Sequence, residues 1–290
     1  MKPGEGIRGS GADLKSCFFQ CRNAPDAVPR NAVGNSFDGG EYPEWGGIPG
    51  HKYFIAFEVL GMGDHNSVDI VQGLHVDMLT TGGVVPEDGC LEYGNPLPLS
   101  NTYFSVYIDD VIVAQVLPNR LLAQNTGPDV SVTQRCSSVY EKYDVEVSEE
   151  KGFGFFSVNP KPQTTFEAWG TRIRSDPGEV STPVEKRKAL ANVIFYLVHL
   201  CYVPKPILLS VFGLLVHPFM HNRVLMACLH RTYKYLAGLG DFDIVFLPND
   251  IKNELAFAGL LLPNAYTSIT ALIDSWVSNT HATPTRGGAT

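Results

Sequence analysis

A chain of 290 residues that is 44% hydrophobic is long enough to bury a core in one or two domains and too apolar to be disordered. Its formal net charge of -8 argues against a uniformly basic nucleic-acid binder. Six cysteines without a C-x-x-C pair indicate neither a zinc site nor a disulfide framework, and a reduced intracellular compartment, cytoplasm or nucleus, is the expectation.

The opening residues, MKPGEGIRGSGADLK, have no apolar run of the kind a signal peptide carries. They lead through Gly-rich sequence to Asp13, which ends a short strand and opens the apolar segment DLKSCFFQ. Residues 23–53 are rich in Gly and Pro and read as loops with short strands, one of them over 51–59. A helix is predicted over 66–80, because Val68, Val71, Leu74, His75, Met78 and Leu79 share one face and Gly82 with Gly83 closes it. A loop punctuated by proline, GCLEYGNPLPLSN, precedes the run YFSVYIDDVIVAQVLP at 103–118. A second helix is predicted over 130–143, and strands over 154–158 and 165–173. From 183 to 276 the pattern is helical, broken at Pro204, Pro206, Pro218, Pro248 and Pro263. The longest apolar runs there, 189–203 and 207–219, fall short of the ~20 residues of a membrane span, so amphipathic helices and no membrane association are expected. An antiparallel sheet backed by two helices, then a helical appendage, makes the fold class α+β.

The chemistry concentrates at 103–118. Asp109 and Asp110 stand side by side in a β-branched run suited to burial, where one unpaired carboxylate costs several kcal/mol or takes up a proton. The cost falls if residues 103–108 and 111–116 form a hairpin with the acids at its tip, either solvated or sharing a cation. Antiparallel pairing of the Asp13 strand with that hairpin would add a third carboxylate. Hard oxygen ligands select Mg²⁺, and two such ions about 3.5 to 4 Å apart assist in-line phosphoryl displacement. The charge is also divided along the chain. Between Ser181 and Tyr235 stand Lys186, Arg187, Lys188, Lys205, Arg223, Arg231 and Lys234 against the single acid Glu185. An acidic body joined to a basic helical region suits a protein that holds cations in one part and a polyanion in the other.

These residues resemble the palm of retroelement reverse transcriptases. YIDD at 107–110 is similar to the Y-x-D-D motif of that family, and DLKSCFFQ at 13–20 to its first palm motif. LGMGDHNSV at 60–68 is similar to the helix-opening L-P-Q-G-x-x-x-S-P motif, VEVSEEKGF carries the expected lysine as Lys151, and FEAWGTRI resembles the turn that grips a primer end. RNAVG at 30–34 and MGDHNSV also resemble divergent reverse transcriptase-like proteins of alveolate protists.

The resemblance implies a right-hand polymerase palm over 1–180 and an all-helical thumb or connection region over 181–277. With 12 residues before Asp13, the fingers are expected to be largely missing. The tail at 278–290 resembles the truncated start of a ribonuclease H-like domain, with His281 where its metal-binding Asp would stand. It implies that Asp13, Asp109 and Asp110 are catalytic and hold two Mg²⁺ or Mn²⁺ ions. Phe18 would lie under the incoming sugar, Met62 and Gly63 at nucleotide and template, and Lys151 near the triphosphate. Trp169, Gly170, Lys186, Arg187 and Lys188 would contact nucleic acid. Met62 and Gly61 depart from the Gln and Pro of the family pattern. The implied partners are an RNA or DNA template with its primer, and deoxynucleoside triphosphates; the oligomeric state stays open. Three readings remain: an RNA-directed DNA polymerase domain, a catalytically inactive or domesticated fragment of the same fold, and an unrelated acid-lined cation site.

Overall fold

The computed structural model describes residues 1–85, 89–92, 94–272, 280–282 and 287–289. The chain divides into two compact units, Gly6–Ala168 and Trp169–Thr290 with Met1–Glu5.

The N-terminal unit begins with β1 (Glu5–Asp13), a helical turn α1 (Cys17–Gln20) and the strands β2 (Ala32–Asp38) and β3 (Lys52–Ala56). Then come α2 (Ser67–Thr81), the hairpin β4 (Thr102–Tyr107) and β5 (Asp110–Pro118), α3 (Pro128–Lys142) and β6 (Thr165–Ala168). β5 is the middle strand of a sheet ordered β1-β5-β4. A strand covered on both faces reads as an almost unbroken apolar run, which is why VIVAQV does not alternate. α2 contributes Val71 and Leu79, and α3 contributes Val132, Cys136 and Tyr140, to a core shared with Phe104 and Val111 of the hairpin.

The Gly-rich opening is a nine-residue strand. A Cβ on Gly9 would lie 2.5 Å from the Phe166 ring, and one on Gly11 2.4 Å from the Phe153 ring. Its one basic side chain, Arg8, is fully buried and forms a double hydrogen bond with Asp129, at 2.7 Å to each carboxylate oxygen.

The C-terminal unit contains β7 (Thr171–Arg174), β8 (Glu179–Ser181), α4 (Val184–His199), β9 (Tyr202–Pro204) and α5 (Lys205–Met220). It continues with α6 (His230–Ala237), β10 (Ile244–Phe246), α7 (Asn249–Leu261), β11 (Tyr266–Ser268), β12 (Thr280–Ala282) and β13 (Gly287–Ala289). Ile194, Leu197, Leu215, Phe219 and Leu255 are central to its core. Among the described residues no helix is long and apolar enough to cross a membrane.

Several expectations need correction. The region after 181 is not all helical: β11 pairs with β8, β9 with β10, and β12 with β13. These strands are three residues long, too short to show alternation. Residues 154–156 form a 3₁₀ turn, not a strand, because Gly154 sits at φ 65° against the backbone of β1. The strand expected over 165–173 is interrupted at Trp169 and Gly170, both at positive φ. On α2, Val68 and Leu74 are exposed, so the buried stripe is narrower than expected. The backbone at His281 belongs to β12, and its side chain lies outside the described residues.

Candidate functional site

Tyr107 pairs with Asp110, leaving a two-residue turn, Ile108 and Asp109, at the tip of the hairpin. Such turns favour Gly or Asn because they need positive φ. Here Ile108 takes φ 56°, a conformation that costs a β-branched residue about 1–3 kcal/mol. α2 holds it there by the main chain. The Ile108 N–H donates to Gln72 Oε1 at 2.6 Å, and His75 Nδ1 lies 2.8 Å from the Ile108 carbonyl. A carbonyl only accepts, so Nδ1 carries the proton and Nε2 accepts from the Tyr140 hydroxyl at 2.8 Å. Burial pushes the His75 pKa below its usual value against the opposing pull of the Ile108 carbonyl and Asp109, favouring this neutral tautomer.

The end of β1 meets this tip: the Leu14 N–H donates to the Asp109 carbonyl at 2.9 Å. Asp13, Asp109 and Asp110 are thereby brought to one corner of the sheet with their charges in range of one another. The Asp110 pKa is pushed up to about 6, first by burial and then by Asp109 and Asp13, with Lys151 opposing. Burial and then Asp109 push the Cys17 thiol up to about 11. Lys151 belongs to the same corner. Its segment is fastened to β1 by bridges from Val147 to Leu14 and from Phe153 to Gly11, and its Nζ lies 2.8 Å from Asp13 Oδ2.

Three carboxylates short of positive charge are a donor set whose chemistry fits a hard divalent cation. Their side chains do not converge as a coordination shell. Among the described residues no group of three His, Cys, Asp or Glu is arranged to hold a metal ion. Asp13 instead faces Lys151.

Phe18 is 8% exposed and packs in the core of the N-terminal unit, whereas its neighbour Phe19 is 55% exposed. Met62 is exposed on the loop before α2, and Gly63 shares that loop. Trp169 and Gly170 form a turn in the C-terminal unit, with φ 49° and 74°. Lys186 and Lys188 are exposed on α4. Arg187 between them is turned inward, donating to the carbonyls of Leu262 at 3.1 Å and Pro263 at 3.0 Å, with Glu179 at 3.6 Å. Its role as a surface phosphate contact is corrected: the α4 periodicity places it with Leu190 and Ile194. Sequence reasoning missed Gln72 and Tyr140 altogether. It placed His75 on the core face without a partner, although a polar ring at a core position is itself the signal that one exists.

Compared by sequence, the chain matches no protein-family model and no curated protein. Compared by structure, it is similar to the foamy viral protease-reverse transcriptase dRH in complex with ds DNA, at 15% identity and a TM-score of 0.60. That match covers 97% of this chain and 40% of the other. It is also similar to the foamy viral protease-reverse transcriptase in complex with RNA/DNA hybrid, at 14% identity and a TM-score of 0.60, covering 91% of this chain and 28% of the other. The chain thus spans less than half the length of either. At these identities the likeness is one of fold, and the fold is reverse transcriptase-like.

Proposed function

We propose that this chain is the palm and thumb of an RNA-directed DNA polymerase, extending a primer 3′-hydroxyl with deoxynucleotides on a nucleic-acid template. The observation that carries the reading is the corner where Asp13, Asp109 and Asp110 meet, on a fold like that of proteins whose structures contain duplex nucleic acid. The three aspartates would hold Mg²⁺ or Mn²⁺, two ions in the full site. Bound there, such ions supply charge neutralisation and orientation for phosphoryl transfer.

The chain's own part is positioning. Gln72, His75 and Tyr140 fix the turn that carries Asp109, so the carboxylates are placed before substrate arrives. Phe18, five residues after Asp13, is the bulky group assigned to the sugar, and its burial in the core makes it a fixed wall. Met62 and Gly63 face solvent on the loop assigned to nucleotide and template. Lys186 and Lys188 supply charge for backbone phosphates without reading sequence.

Primer extension on an RNA template with Mg²⁺ or Mn²⁺ tests the proposal, comparing the chain with Asp109→Asn/Asp110→Asn. Extension that disappears in the double variant is the expected result. Extension that survives it overturns the mechanism. If the unaltered chain extends nothing, the reading reduces to a nucleic-acid-binding fold without the chemistry.

A further inference from the structure

The N-terminal unit holds a cavity of about 360 Å³ between α1, α2 and the residues that follow α3. Leu14, Val71, Leu74, Met78 and Val145 make its walls apolar. The polar side chains in those walls are already engaged. His75 has both ring nitrogens bonded, to Ile108 and Tyr140, and so offers carbon to the cavity. The Gln20 amide donates to the carbonyls of Lys15 and Glu146 and accepts from the Glu146 N–H. Burial holds the Cys17 and Cys21 thiols in their neutral form, in which they pack as small apolar groups. A preformed cavity of this size and lining is in the range of small-ligand sites.

The mouth has the opposite character. Asp77 and Asp144 both line it and are both exposed. α2 ends there at Thr81, and α3 ends just before Tyr143. A helix C-terminus carries partial negative charge, which adds to that of the two carboxylates. α2 has no basic residue in its last turn. Lys142 of α3 lies over the Tyr143 ring at 5.0 Å and Lys15 pairs with Glu146 at 2.9 Å, and neither lysine lines the cavity.

We propose that this cavity binds a small ligand with an apolar body and a cationic head, the body between α1 and α2 and the head at Asp77 and Asp144. Such a ligand lies against Leu14 and His75. The Leu14 N–H holds the Asp109 carbonyl and the His75 ring holds that of Ile108, so the ligand bears on the turn that carries the acids without touching their carboxylates. The inference depends neither on a bound metal ion nor on polymerase activity.

The test is calorimetric titration of the full chain at pH 7.5 with three probes of one shape: biphenylmethylamine, which is cationic at this pH, neutral biphenylmethanol and anionic biphenylcarboxylate. The unaltered chain is expected to bind the amine about five-fold more tightly than the alcohol, and the carboxylate most weakly. Asp77→Asn/Asp144→Asn is expected to bring the three affinities together while leaving that of the alcohol unchanged, and thermal melts check that these exposed substitutions preserve the fold. Methyl NMR signals of Leu14 and Val71 should shift on addition of the amine. Absence of binding by all three probes, a carboxylate bound as tightly as the amine, an order that survives the double variant, or binding that leaves those methyl signals unmoved would each overturn the site. Each of these results leaves the polymerase reading, which primer extension tests, as it was.

Discussion

Replacing His75 by Ala should cost the protein about 3 kcal/mol, from three sources that the structure separates. Both ring nitrogens are bonded, at 2.8 Å each, and His75 and Tyr140 are each 2% exposed, so the loss leaves the Ile108 carbonyl and the Tyr140 hydroxyl without these partners. Two net hydrogen bonds contribute about 2 kcal/mol, the imidazole-sized void adds about 1 kcal/mol or more, and the positive φ of Ile108 loses one of its two restraints. Tyr140→Phe removes only the second bond and should cost about 1 kcal/mol, and in the double variant the two losses should overlap by about 1 kcal/mol. Urea denaturation of the four proteins at pH 7.5 reads these values. The proton dependence is a second signature. Burial lowers the folded-state pKa of His75 below 6.5, so the unfolded chain takes up the proton first. The contribution of His75 is therefore fully present above that value and declines as pH falls through it towards the folded pKa, at up to about 1.4 kcal/mol per pH unit. His75→Gln should lose this part of the slope. A cost below about 0.5 kcal/mol for His75→Ala, or an unchanged acid slope in His75→Gln, would refute the clamp.

Asp110→Asn should stabilise the chain at pH 8, and the gain should shrink as pH falls from about 6 towards 3.8. The folded pKa of about 6 lies above the ordinary 3.8, so wild-type stability is gained as pH falls through 6 and lost as it rises. The gain at pH 8 should be on the order of 1 kcal/mol once solvent screening of a half-buried group is allowed for, and a loss in urea midpoint at pH 8 would contradict the crowding. Arg8→Met should cost about 3–5 kcal/mol by stranding Asp129. Adding Asp129→Leu should recover only part of this by calorimetry, because the carbonyls of Leu122, Gln124 and Thr126 still lose their donor. Lys186→Ala/Lys188→Ala should leave the melting temperature unchanged while weakening duplex binding and reducing the salt slope by up to about 2. Arg187→Met should do the reverse, lowering the melting temperature through the lost contacts to Leu262 and Pro263.

What was legible in the sequence follows from the range of the interactions involved. The hairpin and the two helices over it were legible because their determinants are local: β-branched runs, a two-acid interruption, and apolar residues at helical spacing. Gly9 and Gly11 were not, because the reason for each glycine is an aromatic ring from a distant segment, Phe166 and Phe153 respectively. The same holds for Gly154, whose missing Cβ would lie 2.4 Å from the Gly9 carbonyl oxygen. Arg187 was misplaced for a different reason. A run of Lys-Arg-Lys reads as one charged patch, but consecutive helical residues point about 100° apart, and the middle one falls on the stripe of Leu190 and Ile194. At the site, the three acids were visible from chain order and hairpin geometry, whereas Gln72 and Tyr140 became visible only when α2 and α3 were laid against the sheet.

The network around the turn separates holding the acids from neutralising them. Gln72 and His75 grip Ile108 through its N–H and carbonyl, both neutral groups, and Tyr140 completes the chain with a neutral hydroxyl. None of these bonds adds a positive charge, so the positioning network leaves the charge of the carboxylates unanswered; Lys151 reaches Asp13 separately, from an exposed stem. A protonated His75 would reverse this arrangement by bringing a fixed charge beneath Asp109. Its burial works against that outcome, holding the imidazole neutral where the carboxylates need a scaffold and not a competitor for their ligand. Position can therefore be perturbed apart from charge: His75 and Tyr140 substitutions should move stability, and His75 substitutions its acid slope, without removing a charge from the aspartates or from Lys151.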